Sequence, residues 1–203
     1  YVTQNYEVFI RKVADNSLIF QLSSPDYEYY WPRAYNSYLI YVEYNKNAGN
    51  CRLMKYDFFS KNVSCLDSGY NISSLSYQSS YYANRGEDYL LYQTLEKENN
   101  RWQVSLKFQK ISTGLKKVLF TTITDDSLSL SADYGRSICY LSNGFLLFKI
   151  DSSVYKGKLH VPYGSDSLSF TCRKISQEPY IARYSNLTYY IIQYDEFFLA
   201  GTL

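Results

Sequence analysis

The chain has 203 residues and a formal net charge of +2, from 21 Lys and Arg against 19 Asp and Glu. This charge is too small and too dispersed for the electrostatic surface that a phosphate backbone requires, so no nucleic-acid partner is expected. No run approaches the ~18 consecutive apolar residues of a membrane-spanning helix, so no membrane span is expected either. Aromatic residues make up 19% of the chain, with 25 Tyr and 11 Phe, and this composition favours strands.

A short strand recurs in the sequence and indicates a repeat fold. Its copies are residues 74–77, 127–130 and 167–170, each reading Ser-Leu-Ser followed by Tyr, Leu or Phe. Each copy ends a predicted unit of four strands, and the units recur about every 40 to 50 residues, a period typical of β-propellers. The sequence therefore predicts an all-β fold: a β-propeller of four-stranded antiparallel blades, with about four blades or an arc of a larger propeller.

The whole chain, residues 1–203, is predicted to form a single propeller domain. Strands are predicted where β-branched and aromatic residues lie between clusters of turn residues. We favour an arc over a closed ring, because rings of so few blades are uncommon. The predicted units, in chain order, are a partial blade at 1–34, blades at 38–78, 89–132 and 137–173, and a partial blade at 179–203. The predicted strands are 6–13, 17–22, 27–33, 38–44, 52–58, 63–67, 72–78, 89–95, 103–111, 116–123, 127–132, 137–142, 145–151, 158–162, 167–173, 180–184 and 187–195.

The first strands of the predicted blades are apolar on both faces. Residues 39–42 read Leu-Ile-Tyr-Val, and residues 90–92 read Leu-Leu-Tyr. Successive side chains of a strand point to opposite faces, so these strands need cover on both sides, which stacked blades supply. The alternative all-β fold is an up-and-down barrel around an apolar ligand, which also consists of many short strands.

Residues 129–142, which read Ser-Leu-Ser-Ala-Asp-Tyr-Gly-Arg-Ser-Ile-Cys-Tyr-Leu-Ser, lead into the apolar segment 145–151 that ends in Asp. This stretch resembles the blade signature of WD40-like propellers of the TolB and dipeptidyl-peptidase type, in which a Ser-Pro-Asp-Gly-Lys or Arg turn precedes a hairpin. Ala132 replaces the Pro, and Tyr134 is inserted. The resemblance implies a propeller that serves as a docking surface, as a gate over a separate hydrolase domain, or as a lectin-like or sensory module.

The sequence contains no catalytic or cofactor-binding motif. A Gly-x-Ser-x-Gly nucleophile turn, a Gly-rich phosphate loop, EF-hand spacing and HExxH are all absent, so we expect a non-enzymatic chain without a cofactor. His160 is the single imidazole and is expected to be structural. Asp125, Asp126, Asp133 and Asp151 are expected to form turns.

The cysteines lack the tight spacing of a metal site, so no metal is expected. Cys51 and Cys65 flank a hairpin whose turn is predicted at 59–62, and mirror pairing places Cys51 opposite the region of Tyr70 instead of Cys65. A disulfide between them would need a shifted register. All four cysteines, which include Cys139 and Cys172, are expected to be buried free thiols.

One pattern of aromatic and basic residues recurs in the connections that enter successive first strands. Equivalent connections of a propeller emerge on one rim, and aromatic rings with guanidinium groups suit the recognition of peptides or sugars. The competing interpretation is that these side chains wedge between blades and cap strand ends. The candidate contact residues are Tyr30, Trp31 and Arg33, then Tyr81, Tyr82 and Arg85, then Tyr134 and Arg136.

The predicted function is a non-enzymatic binding or scaffolding module for a protein partner. The alternatives are an accessory domain of a hydrolase, such as a serine peptidase, and a carbohydrate-binding, lectin-like propeller. Sequons at Asn62, Asn71 and Asn186 favour a secreted or extracytoplasmic location only slightly, because about two such triplets arise by chance in this composition.

Overall fold

The computed structural model of the chain describes residues 7–34, 37–79, 88–124, 136–140, 145–150, 153–162, 166–175, 180–184, 187–194 and 197–202. All regular secondary structure in these ranges is β-strand, which confirms the predicted all-β class. The strands are β1 (Val8–Arg11), β2 (Leu18–Leu22), β3 (Tyr27–Ala34), β4 (Tyr38–Asn45), β5 (Asn50–Asp57), β6 (Val63–Gly69), β7 (Asn71–Ser79), β8 (Asp88–Glu98), β9 (Arg101–Lys110), β10 (Lys116–Thr124), β11 (Arg136–Tyr140), β12 (Phe145–Ile150), β13 (Ser153–His160), β14 (Ser169–Ile175), β15 (Tyr180–Tyr184), β16 (Leu187–Tyr194) and β17 (Phe197–Thr202).

Each sheet consists of strands that follow one another in the sequence. The first sheet is the hairpin β1–β2, and the second, third and fourth sheets have four strands each, in the orders β3-β4-β5-β6, β7-β8-β9-β10 and β11-β12-β13-β14. The fifth sheet is β15-β16-β17. Neighbouring strands of the second and fourth sheets are antiparallel.

In the first half of the chain, the sheets begin one strand earlier than the predicted blades. The prediction groups β3 with β1 and β2, and β7 with β4 to β6, whereas β3 pairs with β4 and β7 lies beside β8. Tyr70 alone separates β6 from β7, and a hairpin loop needs about two residues, so β7 cannot fold back on β6. Tyr70 instead donates its backbone N–H to the carbonyl of Leu95 in β8, at 2.8 Å.

The copies of the Ser-Leu-Ser strand do not occupy equivalent places. The copy at 74–77 lies in β7, the first strand of the third sheet, whereas the copy at 167–170 leads into β14, the last strand of the fourth sheet. The copy at 127–130 lies outside the described residues. The expectation that each copy ends a sheet is therefore wrong for the first copy, for the same reason that β7 leaves the second sheet.

The chain divides into two compact units, Tyr1–Ile72 with Thr94–Gln103, and Ser73–Gln93 with Val104–Leu203. In the first unit, the hairpin β1–β2 packs on one face of the second sheet. Phe20 of β2 stacks on Tyr56 of β5, with ring centroids 3.9 Å apart. The buried residues of this core are Val8, Tyr29, Leu39, Tyr41, Met54 and Tyr56.

In the second unit, aromatic rings join the third and fourth sheets. Phe120 of β10 lies 5.5 Å from Phe148 of β12 and 4.8 Å from Tyr155 of β13, measured between ring centroids. Phe148 and Tyr155 stack on each other at 5.1 Å. The ammonium of Lys110 in β9 also lies 3.6 Å from the Asp166 carboxylate, just before β14. An apolar and an ionic contact therefore hold these sheets together.

The central strands are buried on both faces, as their apolar runs predict. In β4, Tyr38 is the most exposed of residues 38–42, at 6%. All side chains of residues 104–111 are buried, although they include Lys107, Gln109 and Lys110. Gln109 accepts a hydrogen bond from the buried Tyr92 hydroxyl at 3.3 Å, so these two polar groups bond to each other within the core.

We expect Gly157→Ala to destabilise the protein. A Cβ at this position in β13 would lie 2.7 and 2.9 Å from two ring carbons of Phe170 and 3.3 Å from Leu146, so the aromatic ring must move. The expected loss in the free energy of unfolding is about 1 to 3 kcal/mol, measured by urea denaturation.

A second variant, Gly157→Ala with Phe170→Leu, serves as the control because the smaller side chain makes room for the new methyl group. It should recover part of the stability lost in the single variant. A single variant as stable as the unchanged protein would contradict the packing of Phe170 over Gly157.

Candidate functional site

The structure places the first group of predicted contact residues within a strand. Tyr30, Trp31 and Arg33 lie in β3 and not in a connection between strands, which corrects the prediction that they enter a first strand from a loop. Arg136 begins β11. The remaining candidates, Tyr81, Tyr82, Arg85 and Tyr134, lie outside the described residues, so their predicted place on a common rim stays a prediction.

A bulge interrupts β3 at Trp31. Tyr30 is paired with Val42, and Arg33 is paired with Ile40, so Trp31 and Pro32 together stand opposite one residue of β4. β3 is an edge strand of the second sheet, where a proline that lacks an N–H does not break the ladder. We call residues 30–33 the Trp31 bulge. At this bulge the Trp31 side chain departs from the regular alternation of side chains between the two faces of the sheet.

Trp31 adopts a backbone conformation that a bulky residue rarely takes. Its φ angle is 55°, in the left-handed region, and it precedes Pro32, which favours extended conformations in the residue before it. The left-handed conformation costs an L-residue about 1 to 2 kcal/mol. Such strain persists where surrounding contacts impose it, and it is concentrated at binding and catalytic sites.

The side chains around Trp31 are polar and accessible. Trp31 is partly exposed and Arg33 is exposed. The Tyr30 hydroxyl donates a hydrogen bond to the Glu28 carboxylate, two residues earlier on the same face of β3. The Arg33 guanidinium makes one long contact, 3.4 Å, to the carbonyl of Pro32. An indole and a guanidinium are therefore presented together at the sheet edge.

An ion pair lies on the opposite face of the same strands. The Glu43 carboxylate accepts hydrogen bonds from Nε of Arg52, at 2.9 Å, and from its Nη2. The guanidinium also lies over the Tyr27 ring, 5.6 Å from its centroid. Glu43 is nearly buried, whereas the Arg52 side chain is 41% exposed. The hydrogen bond to Glu43 raises the pKa of Arg52, so the guanidinium stays charged.

Two phenols beside this ion pair are held neutral. Burial raises the pKa of Tyr29, and the Glu43 carboxylate raises it further. Burial and Glu43 raise the pKa of Tyr41 in the same way, and by more. The rings of the two residues meet edge to face at 6.0 Å. Tyr29 is buried, so it offers no contact surface.

This arrangement suits binding better than chemistry. The Glu43 carboxylate is occupied by Arg52, and the neighbouring phenols are too well shielded to ionise near neutral pH. Sequence reasoning missed Glu28, Glu43 and Arg52. The signal for Glu43 was present, because a carboxylate in the apolar run of β4 implies a cationic partner on the next strand.

Other predicted residues lie in strands β5, β6, β13 and β14. His160 ends β13 and is exposed. Cys51 is buried and is paired with Gly69, next to Tyr70 as predicted, and Cys65 is paired with Met54. Cys65 and Cys172 are free and exposed, so the expectation that they are buried is wrong. Both lie near the edges of their sheets, where fewer neighbours cover them.

Across the described ranges, no group of three His, Cys, Asp or Glu residues is placed to hold a metal ion. The same ranges contain no helix of the length and apolar character that a membrane crossing requires. No family model matches the sequence, and no curated protein matches it.

At position 31, glycine should be better tolerated than valine. Both replacements remove the indole, but only Gly adopts a positive φ without strain, so Trp31→Gly should be more stable than Trp31→Val by about 1 kcal/mol. Urea denaturation measures the difference. At the exposed Ile123 of β10, an ordinary strand position, we expect the reverse order, with Val above Gly. The same order at both positions would contradict a left-handed Trp31.

Tyr41→Phe should reduce the loss of stability in alkali. Because the pKa of Tyr41 in the folded chain exceeds its ordinary value of 10.0, the unfolded chain releases this proton first as the pH rises. Stability therefore falls with rising pH above that value, by at most about 1.4 kcal/mol per pH unit for one group. Phe at position 41 removes this contribution, so the slope above pH 10.0 should be shallower in the variant. Equal slopes in chemical denaturation between wild type and variant would show that Tyr41 is not shielded.

Proposed function

We propose that this chain is a non-enzymatic binding module that contacts a protein partner through the Trp31 bulge. One observation carries the proposal: a partly exposed tryptophan is held at a φ of 55° on an edge strand. The residue before a proline does not favour that conformation, and pairing of the flanking residues with β4 holds it in place. Backbone strain of this kind is concentrated at binding and catalytic sites.

The chemistry of the bulge fits a peptide segment. Trp and Arg are the residues that most often dominate the affinity of protein interfaces, because each combines a large contact area with directional bonds. Trp31 supplies the apolar surface, and Arg33 supplies a planar donor for a carboxylate or a backbone carbonyl. Tyr30 adds a ring whose hydroxyl is already bonded to Glu28, so it is ordered before any partner binds.

For the architecture, we propose a β-propeller or an arc of one. The sheets of consecutive strands, the burial of both faces of β4 and the signature in residues 129–151 support it.

Selection of peptides from a random display library against the full chain would test the proposed contact. The affinity of the selected peptides is then measured by fluorescence anisotropy. Trp31→Ala should weaken binding by about 30-fold or more, the effect of removing a dominant interface residue, and Trp31→Phe should weaken it less.

The matched control is Phe59→Ala, which removes an aromatic side chain that is 82% exposed in the turn between β5 and β6. It should leave the affinity unchanged. Peptides that bind Trp31→Ala as tightly as the unchanged chain would refute the bulge as the contact. If the chain binds glycans but no peptides, and Trp31→Ala abolishes glycan binding, the site belongs to a carbohydrate partner.

A further inference from the structure

The hairpin of β13 and β14 has two very different faces. Its register pairs Lys156 with Arg173, Lys158 with Thr171, and His160 with Ser169, and these residues share one face. The other face carries Tyr155, Gly157 and Leu159, which pack with the aromatic cluster of Phe148 and Phe170. Between residues 155 and 160 of β13 and residues 169 and 174 of β14, one face of the hairpin packs on the aromatic cluster, and the other carries polar and basic side chains.

The polar face is accessible along its length. His160, Lys158, Thr171 and Arg173 are exposed, and Lys156 is partly exposed. This exposure contrasts with β4, whose two faces are both buried. We call the six residues of this surface the basic face: Lys156, Lys158, His160, Ser169, Thr171 and Arg173.

The basic face concentrates positive charge in a chain that is almost neutral overall. The basic face carries two Lys and one Arg, and the strands β13 and β14 contain no Asp or Glu, whereas the whole chain has a net charge of only +2. Lys156 stands directly opposite Arg173, and like charges in opposite positions of a sheet are unfavourable. An anionic group between Lys156 and Arg173 would contact two cationic side chains at once.

The basic side chains of β13 are spaced at the two-residue repeat of a strand. Lys156, Lys158 and His160 occupy every second position of β13, so their origins recur about every 7 Å. An extended peptide with a carboxylate at every second residue has the same repeat. The hydroxyls of Thr171 and Ser169 and the imidazole of His160 add hydrogen-bond donors along the row.

We propose that the basic face binds an extended acidic segment of a partner protein, with Asp or Glu at alternate positions. Lys156, Lys158 and Arg173 bind its carboxylates, and the neighbouring hydroxyls orient them. This surface is distinct from the Trp31 bulge and does not depend on it. A peptide fits better than a nucleic acid, because the net charge of the chain is too small to sustain contacts along a phosphate backbone.

Binding of a labelled peptide of alternating Glu and Thr to the full chain tests this proposal. Fluorescence anisotropy measures the affinity at low and at moderate ionic strength. We expect Lys158→Gln and Arg173→Gln each to weaken binding about fivefold at low ionic strength, and by less as salt screens the charges. The double variant should weaken it by more than either single change.

The matched control is Lys174→Gln. Lys174 is exposed, follows Arg173 directly and is paired with Tyr155, so it lies on the other face of β14. This variant removes the same charge from the same strand and should change the affinity by less than about twofold. Thermal unfolding monitored by circular dichroism confirms that all variants are folded.

A second peptide with the same composition, but with its Glu residues in one block, tests the spacing. It should bind more weakly than the alternating peptide. Equal affinity of the two peptides, or an equal loss in Lys174→Gln, would reduce the interaction to general charge attraction and overturn the proposal. Tighter binding of a single-stranded oligonucleotide of the same charge would overturn the choice of partner, and the absence of peptide binding would overturn the site.

Discussion

Burial of both faces of the central strands is the constraint on which the rest of this structure depends. Residues 38–42 of β4 and residues 104–110 of β9 place side chains on each face of their sheets, and all of them are buried. A single sheet cannot satisfy such strands. In the first unit the β1–β2 hairpin covers one face of the second sheet. In the second unit Phe120 brings the third sheet against the fourth.

The same constraint explains how the strained conformation of Trp31 persists. On both sides of the bulge, β3 is held in register by buried residues of β4, through the pairs Tyr30 with Val42 and Arg33 with Ile40. Shifting the strand by one residue to remove the bulge would expose Tyr29 and bury polar neighbours, because side chains alternate between faces. Packing of the core therefore imposes the conformation locally, and the indole is presented at the edge as a result.

Charged residues serve different purposes according to where the fold places them. Glu43, paired with Arg52 in the first unit, adds to the burial that raises the pKa of Tyr29 and Tyr41. Lys110 reaches from β9 to Asp166 before β14 and adds an ionic contact between sheets. The basic face of β13 and β14 has no acidic residue in its strands and is directed to solvent. The net charge of the whole chain does not show this uneven distribution of basic and acidic residues.

The sequence by itself determined where strands form: the predicted strand 38–44 is β4 (Tyr38–Asn45), and mirror pairing correctly placed Cys51 near Tyr70. These features depend on side-chain alternation and turn residues, which are local. Only the tertiary structure decided which strands share a sheet, since the one-residue connection at Tyr70 sends β7 to β8. It also decided the φ of Trp31 and the face on which Lys158 lies, because both follow from pairing with distant strands whose burial sets the register.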